Sequence, residues 1–406
     1  MNNIERIVLD KIDNMRDEII KFHQQIIQIP SENPPGKYKQ ISKFIENKMN
    51  EIGLDTKYKR HNVIGEYGKT NGKTLIIYGH LDTVEVFKGW TKDPFKGDII
   101  DNKIYGRGAS DNKASVTAEI FATKALIESG VNLNGKIIVT AATDEEMGGM
   151  SGVGYLLEKG ILNGDACLLG DGPCNYPIGY CGGAIFLMFR IKGKQTHGMM
   201  LPDLPKPNRN KYSGVNAIQK MVKIMNFLMD LQEELNKKET KYPLPPEHPS
   251  KVSHVNLAMI NGGVKISIVP DQCILSCSLH TIPEHDIESL KKRILDFVEE
   301  LKKQDPDLDI TVQIPLSFEP QILNINSDFA KAVKKSVKTI FNEERDFKLF
   351  IPTTDAHWFQ EKGIETVLYG ASQANNNIHT ADEFVYIEDL MNTTKMFALT
   401  ALNYLK

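Results

Sequence analysis

The chain has 406 residues, 41% hydrophobic and 25% charged, a composition that fits a folded globular protein of two or three domains. Its 49 basic and 52 acidic side chains leave a net charge of −3, which excludes the electrostatic footprint of a nucleic-acid or anionic-membrane binder. Five cysteines, an odd number with no C-x-x-C pair, exclude a disulfide framework and a thiolate zinc knuckle.

Ile4, Ile7, Val8, Ile12, Met15, Ile19 and Phe22 recur at helical spacing with charges between them. That pattern predicts an amphipathic packing helix rather than a signal peptide. No apolar run approaches the ~20 residues of a membrane span, so a cytoplasmic protein without a membrane partner is expected. The run TLIIYGHLD (74–82) reads as a short apolar strand, 112–130 as a helix closed by Gly130, and GKIIVTAATDEE (135–146) as a second strand. A short helix (151–160) and a third strand, DACLLGDG (165–172), come next. Apolar strands alternating with helices predict an α/β domain with a mostly parallel sheet and flanking helices.

Beyond Gly182 the order changes. Strand 184–194, helix 214–238, strands 254–262 and 273–281, helix 284–304 and strand 309–314 give β-α-β-β-α-β, the order of a ferredoxin-like domain. Cys273 and Cys277 share one face of their strand and read as small buried hydrophobes. After Pro320 the chain returns to helix, strand and helix, with ETVLYGAS (365–372) resembling the earlier strands. An α/β domain of residues 1–182 and 318–406, interrupted by an inserted domain of residues 183–317, is therefore expected.

The residues just past the strands of the large domain carry the chemistry. His80 and Asp82 end the first strand run, Glu145 and Glu146 the second, Asp171 the third, and His379 lies beyond 365–372. Asp111 stands in the Gly-rich loop GRGASDNKA just before a helix. Ligands of open α/β sheets bind beyond the carboxyl ends of the strands, so these side chains are expected at one edge. Imidazole and carboxylate without thiolate suit zinc, cobalt or manganese. Two histidines and three carboxylates exceed one open tetrahedral site, and they fit two metals sharing a carboxylate. Of Glu145 and Glu146, one would then ligate while its neighbour, on the other side of the strand, handles a proton.

At these residues the sequence resembles the di-zinc aminoacylase/carboxypeptidase family, which includes acetylornithine deacetylase, succinyl-diaminopimelate desuccinylase and glutamate carboxypeptidase. The matching stretches are YGHLDTV (78–84), IYGRGASDNKA (104–114), AATDEEMGG (141–149), GKQTHG (193–198), GVNAI (214–218), VPD (269–271) and IHTADEFV (378–385), in order along nearly the whole chain. The resemblance implies a zinc-exopeptidase-like catalytic domain and an inserted dimerisation or lid domain. It also implies that His80, Asp111 and Asp171 hold one divalent ion, and that Asp111, Glu146 and His379 hold the other. Glu145 would be the general base on a water shared by the metals, Asp82 would fix the His80 tautomer, and His197 would stabilise the oxyanion, coming from the partner of a homodimer. A cis peptide after Asp111 is implied too. The implied substrate is an N-acyl amino acid or a short peptide, with His280, His357, Asn261 and Gly262 as substrate-binding residues. The family pattern is altered where substrate is read: His280 and His357 stand where relatives often have arginine, and Ser267 where an Asn is common. Asp171 replaces a frequent Glu, and the link from His197 to Asn216 is long. Arg190 or Arg209 is an alternative carboxylate grip.

Overall fold

In the computed structural model the run TLIIYGH forms the strand Thr74–His80, buried at every position after Thr74. The strands Lys136–Ala142 and Ala166–Leu169 are buried almost throughout as well. Such two-sided burial is why these segments show no polar alternation. Together with Glu365–Leu368 they form the parallel centre of a nine-stranded sheet, in the order Lys136–Ala142, Thr74–His80, Ala166–Leu169, Glu365–Leu368. Antiparallel strands complete it on either side.

The structure describes residues 1–69, 71–200, 213–246, 248 and 250–406. The chain divides into two units, Met1–Tyr180 with Ile322–Phe350 and Thr354–Lys406, and Cys181–Gln321 with Ile351–Thr353. In the first, the helix Lys113–Glu128 is buried on nearly all sides, because its Ala, Ser and Thr positions admit close neighbours. It packs on the sheet and against the last helix, Ile387–Tyr404. No described helix is long and apolar enough to cross a membrane.

The second unit is a four-stranded antiparallel sheet in the order His254–Gly262, Gln272–Thr281, Gly183–Lys192, Asp309–Phe318. The helices Ala217–Leu235 and Ile287–Gln304 share a core with it. This is the ferredoxin-like arrangement that the element order predicted. Cys273 and Cys277 lie in that core as small buried side chains, and all five cysteines are free.

Several expectations need correction. The predicted N-terminal helix is two, Asn3–Asn14 and Arg16–Ile27, broken at Met15, whose backbone leaves helical geometry. The strand expected over 135–146 stops at Ala142, because Asp144 takes a left-handed conformation (φ 76°) and Glu145–Met147 forms a 3-10 turn. The two glutamates therefore do not alternate across a strand. The helix Lys39–Glu51 and the hairpin Asp55–Lys59/Asn62–Gly68 carried no expectation, since the hairpin's outer strand is largely exposed and lacks an apolar face. Residues 201–212, which include Arg209 and most of the long link, lie outside the described residues.

Two buried histidines of the first unit imply an acid limit to stability. Burial lowers the pKa of His23 to about 3 and that of His357 to about 4. The unfolded imidazoles take up protons near pH 6.5 and the folded ones do not. The unfolded state then binds more protons, so stability falls as pH drops from 6.5 toward 4, by about 1.4 kcal/mol per pH unit for each group. Urea unfolding across that range is expected to show this slope, and His23→Gln is expected to reduce it. An equal slope in that variant would assign the loss elsewhere.

Candidate metal centre

Each side chain of the centre is delivered by a break in regular structure within the first unit. His80 ends the strand Thr74–His80. Asp111 precedes the helix Lys113–Glu128 and is joined to Asn112 by the cis peptide that the resemblance implied. Glu145 and Glu146 form the 3-10 turn, and Asp171 lies two residues past Ala166–Leu169. His379 stands in the loop before the strand Phe384–Tyr386 with a left-handed backbone (φ 59°).

These residues meet. Potential ligand atoms of His80, Asp111 and Asp171 lie within 4.8 Å of one another, as do those of Asp111, Glu146 and His379. Asp111 belongs to both sets: its Oδ1 is 3.1 Å from His80 Nε2 and its Oδ2 is 3.2 Å from His379 Nε2. His80 Nε2 is 3.5 Å from Asp171 Oδ1, and His379 Nε2 is 3.2 Å from Glu146 Oε2. Glu145 belongs to neither set, and its Oε2 lies 3.9 Å from His80 Nε2.

The donors fit a cation. Burial raises the pKa of Glu145 well above the usual carboxylate range, with Asp171, Asp355 and Glu146 adding to it, and burial raises Glu146 and Asp171 too. Burial opposes a charge on His80, yet the nearby carboxylates, Asp171 first, push its pKa well up. Hydrogen bonds to Asp111 and Glu146 raise His379 to about 10. Protons on the imidazoles thus balance crowded carboxylates, a charge balance that divalent ions provide with ordinary ligand chemistry. Asp171 Oδ2 is buried with no hydrogen-bond partner among the described residues, while Asn112 donates to its Oδ1. One carboxylate oxygen is therefore held and the other left over.

Asp82 faces both His80 and the glutamate pair. His80 Nδ1 is 3.0 Å from the Asp82 backbone carbonyl and 3.5 Å from Oδ1. The Asp82 carboxylate also accepts the backbone N–H of Glu145 and of Glu146, each at 3.2 Å, and a hydrogen bond from Asn33 Nδ2 at 3.2 Å. The HLD segment thus meets His80 Nδ1 with the Asp82 carbonyl and carboxylate, and holds the glutamate pair with the same carboxylate.

His357 lies in the first turn of the short helix Ala356–Glu361 of the first unit, is buried, and places Nδ1 2.8 Å from the Thr354 carbonyl. His197, His280, Asn261 and Gly262 belong to the second unit. His197 is exposed, and its Nδ1 accepts the Met199 N–H at 3.3 Å, which leaves the proton of a neutral ring on Nε2. His280 faces His254 across the sheet, and burial, with His254 adding to it, lowers its pKa. Asn261 and Gly262 are exposed at the end of the edge strand, and Arg190 is exposed on the strand Gly183–Lys192.

Sequence reasoning missed two further groups. Buried Tyr78 donates to Asp355 Oδ2, and burial raises Asp355 to about 8. The Gly-rich loop is held by Glu383 and Arg107, both fully buried. Asp355 stands two residues before His357, and Glu383 lies inside IHTADEFV, so both fall beside positions that were read for other reasons.

A family model described as Peptidase family M20/M25/M40 matches residues 76–403. An N-formyl-4-amino-5-aminomethyl-2-methylpyrimidine deformylase of Bacillus subtilis is 26% identical over 95% of this chain and 94% of its own length. A probable succinyl-diaminopimelate desuccinylase of Staphylococcus epidermidis is 25% identical over 90% of this chain and 92% of its own. Among solved structures, an M20 family metallo-carboxypeptidase from Sulfolobus solfataricus aligns with a TM-score of 0.76 at 21% identity, covering 95% of this chain and 99% of that one.

Proposed function

The chain belongs to peptidase family M20/M25/M40 and is a metal-dependent hydrolase of amide or peptide bonds; on that premise we propose that it cleaves the amide bond of an N-acyl amino acid. His80, Asp111 and Asp171 hold one divalent ion and Asp111, Glu146 and His379 the other, zinc first, with cobalt or manganese as substitutes. The observation that carries this reading is the pair of donor triads sharing Asp111, with the Glu145 carboxylate beside them and outside both.

When bound, a pair of such ions polarises a carbonyl and makes water more acidic. The remaining work belongs to the chain. Glu145 takes the proton of the attacking water and passes it to the leaving amine. Asp82 fixes the glutamate pair through their backbone N–H groups. His197, with its proton on Nε2, donates to the developing oxyanion. In this reading residues 183–317 form a dimerisation or lid domain in a homodimer, and His197 serves the site of the second copy. The edge strand His254–Gly262, with Met259 and Ile260 exposed, offers a sheet edge that a second copy would cover.

A hydrolysis screen tests the substrate class: N-acetyl, N-succinyl and N-formyl amino acids against dipeptides, with zinc or cobalt supplied. Release from the acylated amino acids is expected. Cleavage confined to dipeptides would replace this reading with that of a peptidase.

A second reading is favoured by His280 and His357. Burial keeps both imidazoles uncharged near pH 7, the second with a pKa of about 4. Neither offers the fixed charge with which arginine grips a carboxylate, which suits an acylated amine lacking one. For a carboxylate substrate, KM is then expected to stay flat between pH 6.5 and 8. A KM that climbs with pH, and is levelled by His280→Arg, would show a protonated His280 reading the substrate.

A further inference from the structure

The Gly-rich loop before Asp111 is held by one carboxylate. Glu383 Oε1 accepts the backbone N–H of Ser110 and of Asp111, each at 3.0 Å. Its Oε2 accepts the N–H of Gly108 at 3.0 Å and Arg107 Nη1 at 2.6 Å. Arg107 Nη2 in turn donates to the carbonyl of Thr380, the residue after His379, at 3.0 Å. Glu383 and Arg107 are fully buried, and the Glu383 carbonyl accepts the N–H of Gly106 at 2.9 Å. Two distant stretches, 106–111 and 379–383, are thus joined by six hydrogen bonds around one ion pair.

From this geometry we infer that Glu383 is a positioning residue for the bridging ligand Asp111, and that Arg107 ties the His379 loop to it, so that the affinity for the ions depends on the pair. The inference rests on the ligand assignment proposed above. A carboxylate is acceptor-only, so four donors can converge on it. In Glu383→Gln, one oxygen becomes an amide NH2 that faces two donors, and the loop must shift to relieve it. Arg107→Lys keeps a positive charge but loses the planar fork that reaches both Glu383 and Thr380. Outer partners of metal ligands typically hold about 10- to 100-fold of metal affinity.

The test titrates metal-free protein with Co2+, followed by its visible absorption, in wild type, Glu383→Gln, Arg107→Lys and Asp111→Asn. Glu383→Gln is expected to weaken Co2+ binding about 10- to 100-fold, with kcat recovering toward wild type at saturating metal. Arg107→Lys is expected to weaken both binding steps, and the one that uses His379 more, because it loses reach to Thr380 as well as to Glu383. A lower melting temperature of the metal-free variants with unchanged Co2+ affinity would overturn the inference and leave the pair a structural brace. If Glu383→Gln fails to fold by circular dichroism, Arg107→Lys decides alone. Asp111→Asn separates the two levels: two ions bound as in wild type would refute the ligand assignment. Loss there, with both other variants unaffected, would refute only the positioning role.

Discussion

Glu145→Gln is expected to lower kcat by about 10²- to 10⁴-fold, the usual contribution of general acid–base catalysis, while both ions stay bound. The expectation comes from the position of the carboxylate. Glu145 contributes to neither donor triad, and its carboxylate lies 3.9 Å from the imidazole of His80. Glu146, one residue later, stands 3.2 Å from His379 Nε2 and also accepts the Val84 N–H at 3.2 Å. The 3-10 turn, rather than a strand, separates the two tasks, and Asp82 holds both backbone N–H groups in place. Glu146→Gln is therefore expected to weaken metal retention, with loss of turnover arising from it. Metal content and kcat measured on both variants decide the matter. If Glu145→Gln loses metal while Glu146→Gln merely slows turnover, the roles are reversed.

The sequence made the centre legible because topology did most of the placing. Parallel strands end at one edge of the sheet, so His80, Glu145, Glu146 and Asp171, each at or just past the end of an apolar run, were readable as neighbours without coordinates. His379 was read from its place beyond the apolar run 365–372, and Asp111 from the Gly-rich loop before a helix. Strand periodicity failed at the glutamate pair, where one left-handed residue, Asp144, turns the chain. It also failed where contact partners are remote in sequence. Asn33 reaches Asp82, His23 approaches the Ala109 carbonyl at 3.0 Å, and Glu383 grips residues 108–111 from 272 or more positions away. Such partners leave no local pattern, since a buried carboxylate that accepts backbone N–H groups looks in sequence like any surface acid. The residues expected to read the substrate were the least legible for a related reason. Their charge state depends on burial, and the structure lowers the pKa of His280 and His357 where the sequence alone implies titration near 6.5.

Removal of metal is expected to abolish hydrolysis and to make stability depend on pH in a defined direction. In the metal-free centre His379 is raised to about 10 by its hydrogen bonds to Asp111 and Glu146, and the carboxylates around His80 push it well above 6.5 against the effect of burial. A histidine whose folded pKa is raised contributes stability in full below its unfolded pKa of about 6.5, and loses it as pH climbs through the folded value. The metal-free protein should therefore become less stable as pH rises from 6.5 toward about 10, where His379 gives up its proton, and His80 adds a loss of the same sign, leaving the carboxylates of Asp111, Glu146 and Asp171 less compensated. Bound ions displace the same protons, so metal affinity should rise over the same window. The difference in melting temperature between metal-loaded and chelated protein is thus expected to widen from pH 6.5 upward. His379→Gln would remove part of that widening, because the proton it holds in the metal-free state is one of the two at stake. A difference that is constant with pH, or hydrolysis that survives complete chelation, would mean that these imidazoles are not what the ions replace.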